Sequence, residues 1–296
     1  MVSGEVDVAL PAGADADHED RQIALWALYE LHYGGFEDVD DDLEWHPTLL
    51  TLRHQLEGVF LAELRERYVA PESTEPFAEQ LFAYIAGIDG PSLARFVQRN
   101  ATRDQALDVL RARSVYQLKE ADPTTWAIPR ISGAAKVALV ELQYDEYGAG
   151  VPDKQHSHLF AQGLAACRLD PAYGAYVDDV PVEVLELNNG LSFLGLHRRW
   201  RGAAMGFLAA FEATSSLPAR QMAQGLRRLG LAEEMAYYYD EHIEADAVHE
   251  QLAVRQICAP VVAEHPELVD DVFFGAFTCV DLENRLAQAL LDGWAA

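Results

Sequence analysis

Apolar residues recur along this chain mainly at helical spacing. From Gln22, Ile23, Leu25, Trp26, Leu28, Tyr29 and Leu31 form one stripe that stops at Gly34-Gly35. An acidic loop, Glu37 to Glu44, follows, and Pro47 then opens a long helix carrying Leu49, Leu50, Leu52, Leu56, Val59, Phe60, Leu61 and Leu64. Residues 77–88 and 91–99 predict two shorter helices. Residues 102–120 predict a longer one, ended near Asp122-Pro123 because the residue before a proline disfavours the helical region. Residues 131–147 continue the pattern, Gly148 to Pro152 interrupts it, and residues 153–167 resume it. Residues 171–176 read as a turn or short helix. Residues 182–187 have a strand-like composition, but Asn188-Asn189-Gly190 follows and no partner strand is nearby. Residues 194–214 hold Gly202, Ala203, Ala204, Gly206, Ala209 and Ala210, small residues that let a neighbouring helix come close. Ser215 to Pro218 is expected to end that helix. Helices over 219–229, about 232–258 (stopped by Pro260) and about 267–294 complete the pattern. The expected fold class is all-α.

Composition narrows the partners. Half of the 296 residues are hydrophobic, enough for a substantial core. The net charge of −26 argues against nucleic acid and anionic membrane surfaces, which repel an acidic protein. No apolar run approaches the ~20 residues of a membrane span, and no signal peptide is visible. Cys167, Cys258 and Cys279 are odd in number and far apart, which fits reduced core thiols in a cytoplasmic protein. The expected organisation is a disordered acidic tail over residues 1–20, a helical region over 21–101 that offers a dimerisation surface, and a main helical domain over 102–296. Dinucleotide and P-loop glycine patterns and GxSxG are absent.

The chemistry-bearing residues gather late in the chain. On a helix Asp246 lies about 40° round from His242 and His249 about 20° the other way, so two imidazoles and a carboxylate share one face. That mixture suits iron better than calcium or magnesium, although most His and Asp on so acidic a helix are simply solvated. Glu212 interrupts the apolar stretch around Phe207–Phe211, where a lone carboxylate is costly unless paired, protonated or ligating. Glu120, in the last expected turn of its helix, opposes the helix dipole. Glu146 and His156 flank the Gly148–Pro152 break. Carboxylates and histidines from facing helices are the materials of a dinuclear iron site, though the usual pair of Glu-x-x-His motifs is missing.

On these residues the chain resembles the haem-oxygenase-like diiron oxidases and oxygenases, a family also labelled iron-containing redox enzymes. A late helix there carries His-x3-Asp-x2-His, matched by His242, Asp246 and His249. A bridging Glu lies about thirty residues earlier, matched by Glu212. An earlier His and a Glu from the first core helix are matched by His156 and Glu120, and Glu146 resembles the extra carboxylate of N-oxygenating members. His156 is preferred to His158 on that spacing. The resemblance covers about residues 102–296. It implies a haem-oxygenase-like helical bundle with an N-terminal helical layer, two Fe2+ ions held by these seven residues and O2 as co-substrate. The substrate would be a small amine- or carboxylate-bearing metabolite, with N-oxygenation favoured over C–C cleavage or desaturation of an amino or fatty acid. It also implies an external electron donor and a homodimer. Arg198, Arg199 and Arg201 offer a carboxylate clamp or a solvated basic face, and one of Tyr237, Tyr238 and Tyr239 could meet the metals. The competing readings are haem binding through His32, a thiaminase-like hydrolase using a Cys nucleophile, and a non-catalytic helical dimer. Glu30, two residues from His32, is the other candidate ligand of the first third.

Overall fold

The structure is a computed structural model that describes residues 17–72 and 75–295, with the side chains of residues 244–248 outside the described part. The regular structure of the described residues is all helical, with no strand among them. Two compact units can be distinguished, one ending at Arg67 and the other beginning at Tyr68.

The first unit pairs helices α1 (His18–Glu30) and α2 (Pro47–Arg67). Most of the expected acidic tail lies outside the described residues. Its last part is helical rather than disordered, because the Asp17 carboxylate accepts a hydrogen bond from Asp20 N at 2.9 Å and caps α1 four residues before the apolar stripe begins.

The second unit contains α3 (Phe77–Ala86), α4 (Leu93–Arg99), α5 (Arg103–Gln117), the short α6 (Asp122–Thr125), α7 (Gly133–Glu146), α8 (His156–Ala166), α9 (Val182–Leu196), α10 (Arg201–Arg228), α11 (Glu233–Gln251), α12 (Ala259–Glu264) and α13 (Val269–Ala295). The long α10 packs on α11 along one side and on α13 along the other. Small residues permit the second contact: a Cβ on Gly206 would lie 1.9 Å from Val272 O, and one on Gly275 would lie 1.8 Å from Ala203 O. The two backbones therefore touch reciprocally, as the Gly- and Ala-rich stretch suggested.

The structure differs from the sequence pattern in several places. Pro260 does not stop the chain's helical run, because it falls in the first turn of α12 where its missing N–H is tolerated, and the helix expected from residue 194 is divided at 197–200 between α9 and α10. The 182–187 segment is the start of α9, buried on nearly every side, which is why it showed no helical alternation of apolar and polar positions. α10 does not stop at Ser215–Pro218 but runs through Pro218. Pro218 cannot donate to the Thr214 carbonyl. Just upstream, the Thr214 hydroxyl donates to Ala210 O at 2.8 Å and that of Ser215 to Phe211 O, bonds that tend to bend a helix. α5 begins with a capping box from Thr102 and Gln105 but ends at Gln117, so Glu120 sits in the turn beyond it, not in its last turn. After α11 the chain continues as a π-helix, Leu252–Cys258, a register change that side-chain periodicity does not announce.

Candidate metal centre

Glu120 is placed by the turn after α5, Glu146 is the last residue of α7 and His156 is the first of α8. Between the last two the chain reverses through Gly148, Ala149 and Gly150, all in the left-handed region with φ of 77°, 53° and 80°. A Cβ at Gly148 would lie 2.6 Å from Gln155 N, so glycine is required both for the conformation and for the close return. That return sets His156 Nδ1 2.9 Å from Glu146 Oε2. Glu212 comes from the middle of α10, and His242 and His249 come from the facing side of α11.

These residues form two adjoining triads, Glu120–His156–His242 and Glu146–Glu212–His249. Within each, one ligand atom per residue lies within 4.8 Å of the others, and all six residues are buried. In the first, Glu120 Oε1 is 3.7 Å from His156 Nδ1 and 3.6 Å from His242 Nε2. In the second, His249 Nδ1 is 3.6 Å from Glu212 Oε2 and 3.8 Å from Glu146 Oε1. Glu146 therefore touches both triads. The side chain of Asp246, the seventh expected ligand, lies outside the described residues, although its backbone continues α11 between the two histidines.

Hydrogen bonds aim the rings. His242 Nδ1 lies 2.8 Å from the Tyr238 carbonyl and donates to it, which turns Nε2 toward Glu120. His249 Nε2 faces Asp145 Oδ2 at 3.3 Å, turning Nδ1 toward Glu146 and Glu212. The Tyr238 hydroxyl, fully buried, donates to the Glu120 carboxylate at 3.1–3.3 Å. Sequence reasoning named Tyr238 only as one of three tyrosines and missed Asp145. The four-residue spacing of Tyr238 and His242 was the available signal for the tyrosine, and no local signal marked the aspartate.

The electrostatics are those of a carboxylate-rich cluster holding protons. Burial raises the Glu212 pKa, and its bond with His249 only partly opposes this. Burial works against charge on His249, yet Glu212, Glu146 and Asp145 outweigh it and lift the imidazole to about 9. His156 is likewise raised: burial opposes its charge, but Glu146 beside it prevails. Glu146 is held below the usual carboxylate range because three histidines overcome the burial that would raise it.

The donor set fits a metal. His156 Nδ1 and His249 Nδ1 are buried and lack an aligned hydrogen-bond partner, although carboxylates surround them. Separations of 3.6–3.8 Å are too long for hydrogen bonds, but they suit donors that share a cation bound at roughly 2.1 Å. Mixed imidazole and carboxylate ligation suits iron.

A cavity of about 290 Å³ opens beside the first triad, with Glu120, His242 and Tyr238 in its wall. Arg198, Arg199 and Arg201 do not line it. Arg199 instead pairs with Asp271 at 2.5 Å and stacks over Trp200, so the three arginines form no clamp at this cavity. Of the three tyrosines, Tyr237 is exposed, Tyr239 lines the cavity and Tyr238 reaches the cluster. His158 is exposed and bonds Gln162, so of the two alternatives His156 is the one brought into the cluster. In the first unit, His32 is engaged with Glu44 at 3.0 Å and with Arg53, which leaves no open imidazole for haem, and Glu30 is buried at the end of α1. All three cysteines are buried, with thiol pKa values pushed up by burial, the opposite of an activated nucleophile.

Comparison with known proteins agrees with this geometry. The chain is 29% identical over 157 residues to nitrosourea synthase of Streptomyces achromogenes subsp. streptozoticus, a match covering 51% of this chain and 33% of that enzyme. The chain thus matches only a third of the length of its curated relative. A crystal structure of a CADD-like protein of unknown function from Nostoc punctiforme PCC 73102 superposes with a TM-score of 0.55 at 18% identity, covering 78% of this chain and 98% of that one. A second crystal structure of the same protein gives 0.53 at 17%, covering 78% and 96%. These likenesses bear on the fold. Residues 107–284, more than half of the chain and including all seven expected ligands, match the family described as iron-containing redox enzymes. With an all-α, haem-oxygenase-like fold and a buried Glu/His cluster suited to metal, this chain belongs to the iron-containing redox enzyme family.

Proposed function

We propose that the protein is a non-haem diiron oxidoreductase that uses O2 to oxidise a small metabolite bearing an amine or carboxylate, with N-oxygenation the favoured outcome. One observation carries this reading: two buried triads of imidazole and carboxylate adjoin through Glu146, which touches a histidine of each. Glu120, His156 and His242 would hold one ferrous ion and Glu146, Glu212 and His249 the other, with Asp246 the seventh ligand. Bound there, the two ions would supply the electrons and the O2 reactivity that side chains lack.

The chain's own residues supply the rest. Tyr238 and the carbonyl above His242 hold Glu120 and the imidazole in position. Burial keeps water from the cluster and strengthens each electrostatic contact within it. The adjoining cavity leads a substrate to the Glu120–His242 side. The similarity to nitrosourea synthase supports N-oxygenation. The largely apolar wall of the cavity, with Leu93, Val109, Phe211, Met222 and Val280, favours oxidative C–C cleavage or desaturation of an amino or fatty acid as the second reading. The same proposal takes residues 102–296 as the catalytic domain and 21–101 as a dimerising region, and includes an external electron donor. Unpaired buried cysteines support a reducing, cytoplasmic setting. Among the described residues no helix is long and apolar enough to cross a membrane.

Anaerobic titration with ferrous iron tests the reading. About two irons per chain are expected, and the loaded protein should consume O2 on rapid mixing with a transient visible absorption. Glu212→Ala should lose at least one iron. Absence of iron uptake by the wild-type chain, or full loading of Glu212→Ala, would overturn it.

A further inference from the structure

A second cavity, of about 20 Å³, meets both triads at once. Glu120 and His242 of the first triad and Glu146 and Glu212 of the second stand in its wall. It shares Glu120, His242 and Phe211 with the large cavity, so these three side chains form a partition between the two. Most of the remaining lining is apolar or aromatic, and Gln143 contributes its one amide. A single water needs roughly 10–15 Å³, so the space suits a molecule of one or two heavy atoms.

Gln143 is buried on α7, three residues before Glu146. Its Nε2 donates to the Ala121 carbonyl at 2.9 Å and to Thr125 Oγ1 at 2.9 Å. Both amide hydrogens are thereby used. The Ala121 carbonyl can only accept, so the NH2 end must face it, and the amide cannot sit the other way round. Ala121 adjoins Glu120, so the same bond ties the turn carrying Glu120 to the helix carrying Glu146. What remains is Oε1. It is buried, and no group among the described residues bonds it. An acceptor so placed is costly unless an occupant of the cavity donates to it.

That requirement selects the occupant. A bare anion has no hydrogen to give, and its charge would face the Oε1 lone pairs and three carboxylates. A small apolar molecule would leave Oε1 unpaired. A neutral molecule of one or two heavy atoms that carries an O–H satisfies both the size and the acceptor, and water is the smallest of that class.

We propose that this second cavity is a ligand site distinct from the large one, that it takes a small neutral molecule bearing an O–H, and that Gln143 is the positioning residue that holds this molecule against both triads. The occupancy stands without metal; only the cations that the occupant meets there rest on the diiron reading.

Crystallography of the metal-free chain reads the occupancy. An ordered water should stand about 2.6–3.0 Å from Gln143 Oε1 in the wild-type chain and be lost in Gln143→Leu. A wild-type cavity in which nothing bonds Oε1 overturns the proposal. The second readout uses the chain loaded with Co2+, whose visible absorption responds to its ligands. Fluoride and hydroxylamine both compete with water at the metal, but only hydroxylamine can donate to Gln143. Gln143→Leu should lower the preference for hydroxylamine over fluoride about tenfold, the effect of about one hydrogen bond. Damage to the triads would weaken both probes alike, so an unchanged preference refutes the role of Oε1. Thr125→Val removes one anchor of Nε2 and keeps the acceptor, and it should retain the wild-type preference. An equal loss of preference in Thr125→Val would make Gln143 a structural brace and overturn its assignment. Absence of Co2+ uptake with the water in place sinks the diiron reading alone. Normal uptake with nothing bonded to Oε1, or with an unchanged preference in Gln143→Leu, sinks this inference alone.

Discussion

Gly163 tests how the first triad is held together. It lies in α8, seven residues after His156, where a Cβ would come 2.8 Å from both Cα and Cε of Met235 in α11. The methionine side chain can swing away, but its Cα cannot. Carbon atoms pack at about 3.8 Å, so Gly163→Ala should push α8 from α11 by about 1 Å. Across that seam the rings of His156 from α8 and His242 from α11, two donors of the triad, now have centroids 4.3 Å apart. One ion at about 2.1 Å from each donor tolerates at most about 4.2 Å between them, so an added ~1 Å exceeds what the site can span. For stability, alanine gains about 1 kcal/mol in helix propensity and loses about 1–3 kcal/mol to overpacking, a net cost of about 0–2 kcal/mol. The variant should therefore fold, with its melting temperature lowered by a few degrees. Its first iron equivalent should weaken at least tenfold in anaerobic competition titration, while the Glu146–Glu212–His249 site keeps its iron. Gly293→Ala is the control: its Cβ meets nothing within 4 Å, so it should gain stability and bind iron normally. If Gly163→Ala behaves like Gly293→Ala in both melting and iron binding, the spacing of α8 and α11 does not organise the triad.

Three further outcomes are expected. His156→Ala should lose one iron per chain while His158→Ala keeps both, as read by metal analysis after anaerobic loading; the reverse pattern would reassign the ligand. Tyr238→Phe should lower stability by about 1.5–3 kcal/mol in denaturant titration, since a hydrogen bond to a carboxylate is lost in the core, and weaken iron binding about tenfold or more. Gly148→Ala should cost about 1–3 kcal/mol or more, from a left-handed backbone and a 2.6 Å contact, and should also reduce iron loading because the turn sets His156 against Glu146; unchanged melting would refute that account of the turn.

Much of this molecule was legible in the chain because helices are local. Apolar spacing placed most of the helices, and the Gly- and Ala-rich face of α10 announced its close packing, since both depend on residues a few positions apart. The site residues were legible for a related reason. Carboxylates and histidines in apolar helices or at helix breaks need an explanation wherever they occur, and Glu212 within its apolar stretch was the clearest. The chain alone did not reveal α9, whose burial on nearly every side erases periodicity, or the continuation through Pro218 and the π-turn after α11, where side-chain bonds and packing override local preference. Nor could it separate His156 from His158 on physical grounds, because both sit in the first turn of α8 and only the approach of α11 and the return of the chain through Gly148 bury one and expose the other. The division into two triads, the contact of Glu146 with both, the Tyr238 bond to Glu120 and the pairing of Arg113 with Glu283 across 170 residues were likewise decided by tertiary structure. Sequence determines which groups must avoid being buried alone; only the packing of distant helices determines which partners they meet.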